Sequence, residues 1–350
     1  MRGADWLFRA NGSDGHFTYG FVPALKTSME GDHYLRQAGA AFALARAARF
    51  SGDPRYAARA RQAVLLLLAD TGPEPKDPNQ RATTLSPIVV NRLGAAGMLL
   101  MAIHELPAPA EDLLQQSDQL CNFIRAQQQA DGSLTFAETA DADGINQHPG
   151  AALYGLMLSQ RQRPAAWKDD VARKALKYYA PWWRTHKNTA FVPLQTAAYV
   201  EAQLRAKEPP FADFVNEMND WVCELQYQAL EAQHPQWGGG FKEWGDGRVL
   251  AAEPNIGSAA LAEGLADACR VSRASGDLTH YQRHREALER CLQFLSRLQY
   301  TEANTQHFAD WYRPALVGAF YGSFQDGNVR IDYSQHAVCA LVQYLLEVVE

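Results

Sequence analysis

A short segment, polar and then small, returns six times along this chain. Arg36-Gln37-Ala38-Gly39-Ala40-Ala41 is followed by Asn91-Arg92-Leu93-Gly94-Ala95-Ala96 and by Gln147-His148-Pro149-Gly150-Ala151-Ala152. Looser copies are Leu194-Gln195-Thr196-Ala197-Ala198, Asn255-Ile256-Gly257-Ser258-Ala259-Ala260 and Gln335-His336-Ala337-Val338-Cys339-Ala340. A long-period repeat marks an architecture in which each unit covers its apolar face only against its neighbours. Apolar residues after each copy keep helical spacing, and no alternating run reads as a strand.

Beyond its first turn each of these stretches is almost wholly small or apolar, as from Ala40 to Ala48 or Gly94 to Ile103. Such a helix is enclosed on most sides, so these are inner helices. Five more amphipathic, charged helices alternate with them over 55–69, 110–127, 165–184, 211–228 and 280–298. The inner-to-outer turns carry helix punctuation, and Ser-Gly-Asp occurs twice, at 51–53 and 275–277. The long returns, 71–84, 129–145, 229–253 and 300–331, all lie on the side of the inner-helix N-termini. The expected fold is therefore all-α: a single (α/α)6 toroid filling residues 1–350 as one domain. The stretch Asp5-Trp6-Leu7-Phe8-Arg9 reads as the end of an outer helix, so the N- and C-termini are expected to meet and close the ring.

At 350 residues, length alone allows one large domain or two ordinary ones, and the repeat favours one. Hydrophobic residues at 47% and charged residues at 21% fit a folded chain. With 33 Lys+Arg against 39 Asp+Glu, the net charge of -6 offers no footprint for a nucleic-acid partner, whose capture depends on neutralising phosphates. The longest apolar run, 63–69, is too short to cross a bilayer, so no transmembrane segment is expected. The five cysteines are scattered without a CxxC pair and read as buried small apolar residues. Met1-Arg2-Gly3-Ala4-Asp5-Trp6 lacks a basic-then-apolar leader pattern; a cytoplasmic chain is the default expectation, and an exported one if a leader has been removed.

Several outer helices end in Gln or Arg, a spacer, and an Asp-Gly or Gly-rich aromatic turn. The instances are Arg9 with Asp14-Gly15-His16-Phe17, Gln127 with Asp131-Gly132-Ser133-Leu134, and Gln226 with Trp237-Gly238-Gly239-Gly240-Phe241. This pattern resembles the repeat of the terpenoid cyclase and protein prenyltransferase toroids, and the helix count is similar to that of the six-hairpin carbohydrate-active enzymes. Likeness to class II cyclases would imply an acidic DxDD motif, but Asp141-Ala142-Asp143-Gly144 lacks the last Asp. Likeness to prenyltransferases would imply zinc. Asp332-Tyr333-Ser334-Gln335-His336 resembles their histidine-bearing helix, yet no Asp-x-Cys segment supplies the other ligands, and an open catalytic zinc needs three. No metal and no cofactor are expected.

The first turns of the inner helices collect a ring of large polar residues that capping alone does not require, because Arg, His and Gln are poor caps. Asp32, Glu253, Asp332, His148 and His336 are the candidate acids and bases. Arg36, Gln37, Asn91, Arg92, Gln147, Gln195, Asn255 and Tyr333 are candidate substrate contacts. Trp237, Trp244, Trp311 and Tyr312 in the long returns could stack on a sugar or anchor loops. Six converging helix N-termini, with Arg36 and Arg92, predict an anionic small-molecule or oligosaccharide ligand. The leading expectation is a carbohydrate-active hydrolase, lyase or epimerase working on an acidic sugar. Glu253 and Asp332 would be the carboxyl pair of a hydrolase, whereas His148, His336 and Tyr333 would move protons in a lyase or epimerase. The alternatives are a toroid binding an apolar isoprenoid and a noncatalytic ligand-binding module.

Overall fold

The computed structural model describes residues 1–135, 143–228 and 234–349. The inner helices are α2 (Tyr34–Ser51), α4 (Arg92–Glu105), α6 (His148–Ser159), α8 (Val192–Ala206), α10 (Ser258–Ser275) and α12 (Ile331–Glu347). The outer helices are α1 (Arg2–Ala10), α3 (Pro54–Ala69), α5 (Glu111–Gln127), α7 (Ala166–Thr185), α9 (Pro209–Glu224) and α11 (Leu278–Arg297). Each inner helix packs against the next in chain order, and α12 packs against α2, so the inner layer makes a complete circuit. The chain is an all-α (α/α)6 toroid, and α1 lies against both α2 and α12.

Small residues set the inner spacing. Ala38, Ala40, Ala41, Ala43, Ala45 and Ala47 of α2 are all fully buried. At the α4–α6 crossing a Cβ on Gly97 would overlap the Ala151 backbone, and one on Gly155 would overlap the Gly97 carbonyl. Only glycine lets these two backbones approach so closely.

The turn noted at the ends of outer helices is a structural lock, made four times among the described residues. Isolated bridges join Asn11 to Phe17, Gln128 to Leu134, Gln226 to Phe241 and Gln299 to Phe320. In each lock the amide of the first residue donates to a backbone carbonyl inside the turn: Gly15, Gly132, Gly239 and Gly318, at 2.7 to 3.3 Å. The locking residues are thus Asn11 and Gln128, two and one positions beyond the expected Arg9 and Gln127, while Gln226 is as expected. Those four glycines have φ between +92° and +97°. A Cβ on Gly132 or Gly239 would overlap the Lys174 or Arg290 carbonyl of the following outer helix, and one on Gly318 would overlap Arg2 of α1. The fourth lock, Gln299-Gly318-Phe320, hides behind a longer insertion.

The returns are not strand-free, contrary to the sequence expectation. They hold the hairpins β3 (Thr71–Glu74)/β4 (Asp77–Thr83) and β5 (Glu243–Gly245)/β6 (Arg248–Leu250), with a small sheet β2 (Thr27–Ser28)–β1 (Gly20–Val22)–β7 (Val329–Arg330). Most are of two to four residues, too brief for an alternating pattern to register. Residues 136–142 and 229–233 of two expected returns, including Asp141 and Ala142, lie outside the described residues.

Candidate functional site

A cavity of about 550 Å³ opens at the pole bearing the inner-helix N-termini. All six inner helices line it, with Arg36 from α2, Met98 from α4, His148 from α6, Leu194 from α8, Glu263 from α10 and His336 from α12. The shared direction of the inner helices thus gathers their first turns around one void, as expected.

Its most ordered group is on α12. Asp332 and His336, four residues apart, share a helix face. Arg330 donates from Nε and Nη2 to the two Asp332 carboxylate oxygens at 2.8 and 2.7 Å, and Arg36 Nε lies 3.3 Å from Oδ2. Burial alone would raise this carboxyl; the Arg330 fork and the charges of Arg36, Arg330 and His336 instead hold it below the usual carboxylate range. Asp332 is therefore a committed anion and a poor proton donor. Arg36 also meets the Tyr19 hydroxyl, which fixes the guanidinium at the cavity wall.

His336 Nδ1 meets Oε1 of Glu263 at 2.6 Å. Burial disfavours the imidazolium, but the Glu263 carboxylate and then Asp332 outweigh it and raise the imidazole above its ordinary value. With Nδ1 engaged, Nε2 is the nitrogen left for a ligand. His148 begins α6, the helix diametrically across the circuit from α12, and also faces the cavity. Its imidazole fits because α4 carries Gly94 beside it; a Cβ there would stand 2.5 Å from His148 Nδ1.

Deeper in, Tyr154 accepts from Arg46 at 2.7 Å, and Arg46 stands 3.5 Å from Glu105. Asp267 also lines the cavity; burial raises its carboxyl, opposed by the charges of Arg270 and Arg46. At the mouth β5 presents Trp244, held edge-on by Trp221 at 5.4 Å. Asn255 lines the mouth as well, its Oδ1 accepting from Gly257 N–H at 2.8 Å. Among the described residues four carboxylates, Glu243, Glu263, Asp267 and Asp332, line the void against Arg36 and Lys242.

Not every expected residue converges there. His336, His148, Asp332, Arg36, Gln147, Asn255 and Trp244 line the cavity. Tyr333 lines a neighbouring recess. Glu253 lies outside both and accepts from Ser323 Oγ at 3.2 Å. Asp32 accepts from Gln37 Nε2 at 2.9 Å and lies 3.3 Å from His16, while Gln37 also holds both backbone groups of Phe17. These two fasten the first lock to α2. Asn91 caps α4 through Gly94 N–H at 2.9 Å, and Arg92 pairs with Glu74 of β3. Gln195 is fully buried in α8 and does not line the cavity. Trp237 stacks on His234 at 3.9 Å, Tyr312 is buried, and Trp311 is 71% exposed; none of the three lines either void.

Glu263 and Asp267 went unread in the sequence because they lie past the polar first turn. Their signal was a carboxylate within an otherwise small and apolar inner helix, where it needs a partner. Among the described residues no group of three or more His, Cys, Asp or Glu side chains is arranged to hold a metal ion, and no helix is long and apolar enough to cross a membrane.

No family model and no curated protein matches the chain. Solved structures do, over almost the whole length. A D-mannose isomerase superposes with a TM-score of 0.68 at 13% identity, covering 98% of this chain and 95% of that one. Cellobiose 2-epimerase from Bacillus thermoamylovorans has a TM-score of 0.68 at 9% identity, covering 98% and 96%. An unsaturated glucuronyl hydrolase specific for heparin has a TM-score of 0.66 at 12% identity, covering 99% and 95%. At such identity the likeness is one of fold, the (α/α)6 toroid.

Proposed function

We propose that the protein is a carbohydrate-active enzyme of the proton-transferring kind, an isomerase or epimerase of an aldose bound at the inner-helix N-termini. The observation that carries this reading is the His336–Glu263 pair facing a cavity that His148 enters from the opposite inner helix. Neutral His336 Nε2 takes the proton from the carbon next to the open-chain carbonyl, and the electron pair moves onto the carbonyl oxygen. Arg36 lies on the wall where the resulting oxyanion would gather charge. Return of a proton to the same carbon from the His148 side inverts it; return to the carbonyl carbon, with proton transfer between the oxygens, yields the ketose. The toroid neighbours that act on mannose and cellobiose agree with this chemistry.

A hydrolase using Glu253 and Asp332 has less support, because Asp332 is held ionised by two arginines and Glu253 faces Ser323. The case for an acidic sugar rests on the six helix N-termini with Arg36 and Arg92, and both arginines are paired, with Asp332 and Glu74. The carboxylate excess of the lining favours a neutral sugar, and so charged a wall suits an isoprenoid poorly.

Incubation with D-mannose, D-glucose and cellobiose in D2O, followed by NMR, tests the reading. Deuterium should enter at C2 of an aldose or at C1 of a ketose product, and His336→Asn should slow its entry by about 10²–10⁴-fold. Sugars that bind in the cavity and exchange neither at C2 nor at C1 of a ketose would instead make the protein a binding module.

A further inference from the structure

A second void of about 510 Å³ adjoins the cavity. The two share Asn255, Gly257, Ala260, Asp332 and His336, so the recess begins at the reacting centre. Its remaining wall is made by Ile256, by Arg330 and Tyr333 at the start of α12, and by the return carrying Ser323 and Asp326. Tyr333 stands three residues before His336, which places it on nearly the same helix face, one turn toward the mouth.

The recess is rigidly built. The Arg330 guanidinium covers one face of the Tyr333 ring at 4.4 Å while forking onto Asp332, so the aromatic group is tied to the same carboxylate that borders the cavity. The return is closed by its own hydrogen bonds. Ser323 Oγ accepts from the Asp326 N–H at 3.2 Å, and Asp326 Oδ1 accepts from the Asn328 N–H at 3.0 Å. The Tyr300 hydroxyl donates to the Gly327 carbonyl at 2.9 Å and fixes the tip from behind. An aromatic ring with a hydroxyl, a serine and a carboxylate at its border presents an apolar face and hydrogen-bonding edges together, as a pyranose ring does. The void has the size range of a small-molecule site. A monosaccharide reacting at His336 would leave it filled only with water.

Resting on the aldose reading above, we propose that the recess is a subsite for a second sugar ring. The substrate is then a disaccharide or longer oligosaccharide, its reducing-end unit at His336 and the next unit against Tyr333, Ser323 and Asp326. The shared wall of Asn255, Asp332 and His336 marks where the glycosidic linkage passes.

Calorimetric titration separates this proposal from the reading it rests on, because it needs no turnover. Cellobiose, β-1,4-mannobiose and α-1,6-mannobiose are compared with D-glucose and D-mannose. At least one disaccharide should bind about ten-fold tighter than its own monosaccharide, equivalent to about 1.4 kcal/mol. In Tyr333→Ala, and in Ser323→Phe, which fills the recess from the return side, that advantage should fall below about two-fold. Circular dichroism and the melting temperature of each variant establish that it is folded. No disaccharide advantage in the parent protein, or an advantage that survives both folded variants, overturns the subsite even if C2 exchange is observed. A disaccharide advantage lost in the variants upholds the subsite even if no exchange occurs, and then only the proton-transfer reading fails.

Discussion

Nδ1 of His336 and Oε1 of Glu263 meet at 2.6 Å across the seam between α12 and α10, and this contact decides which form of the histidine the cavity holds. Glu263 serves as the fixed partner that orients the ring and favours its charge. Asp332, one turn away, is satisfied by Arg330 and Arg36 and adds a second anionic influence.

That arrangement predicts a particular pH response. A base must be neutral, so kcat/KM for C2 exchange should rise as pH passes through the raised pKa of His336. Replacing Glu263 with Gln removes the first of the two influences that raise it, and the acidic limb of the profile should move to lower pH. The plateau should also fall, because the ring loses its orienting carboxylate; His336→Asn should lose about 10²–10⁴-fold. A pH–rate profile of parent and Glu263→Gln reads both effects. A limb that does not move would remove Glu263 from its positioning role.

The architecture was legible because its signal is compositional and periodic. Enclosed helices must be small and apolar throughout, and Ala40 to Ala48 cannot be mistaken for a surface helix. The pole of the site followed from the same pattern, since polar first turns and long returns share one end. Individual roles were less legible. Gln37 and His336 stand at the equivalent place in two repeats, yet Gln37 fastens the Phe17 backbone while His336 lines the cavity. Arg92 holds the same second place in its copy, but a hairpin strand carrying Glu74 claims it. Which partner a polar side chain finds depends on the return that folds over it, and beyond the locks the returns share no repeat.

The four locks predict that glycines of similar backbone conformation differ in tolerance. Gly276 ends α10 with φ at +74°, and a Cβ there meets open space. Gly276→Ala should cost only the left-handed strain, about 1–2 kcal/mol. Gly239 has φ at +92°, and its added Cβ would overlap the Arg290 carbonyl in the body of α11. Backbone has to move to admit it, so Gly239→Ala should cost about 3 kcal/mol or more. Urea denaturation of the two variants measures the gap. Equal losses would mean that the lock does not hold the outer layer in register.

A different histidine should govern acid stability. His104 is fully buried near the end of α4, with Nε2 2.7 Å from Ser117 Oγ and Nδ1 2.5 Å from Gln162 Oε1. Burial, opposed in part by the Gln162 bond, lowers its pKa from 6.5 to about 4. Above pH 6.5 both folded and unfolded chains carry it neutral, and its contribution to stability is complete. As pH falls from 6.5 toward 4, the unfolded chain binds a proton that the folded one refuses, so that contribution is lost. The loss amounts to roughly 2 kcal/mol at pH 5 and about 3 kcal/mol below pH 4. His284, whose pKa burial also lowers, adds to the same slope. His104→Gln should be less stable at pH 7 but should lose about 2 kcal/mol less than the parent between pH 7 and pH 5. Urea midpoints at the two pH values measure the difference, and parallel losses in both proteins would show that His104 takes up its proton without disturbing the fold.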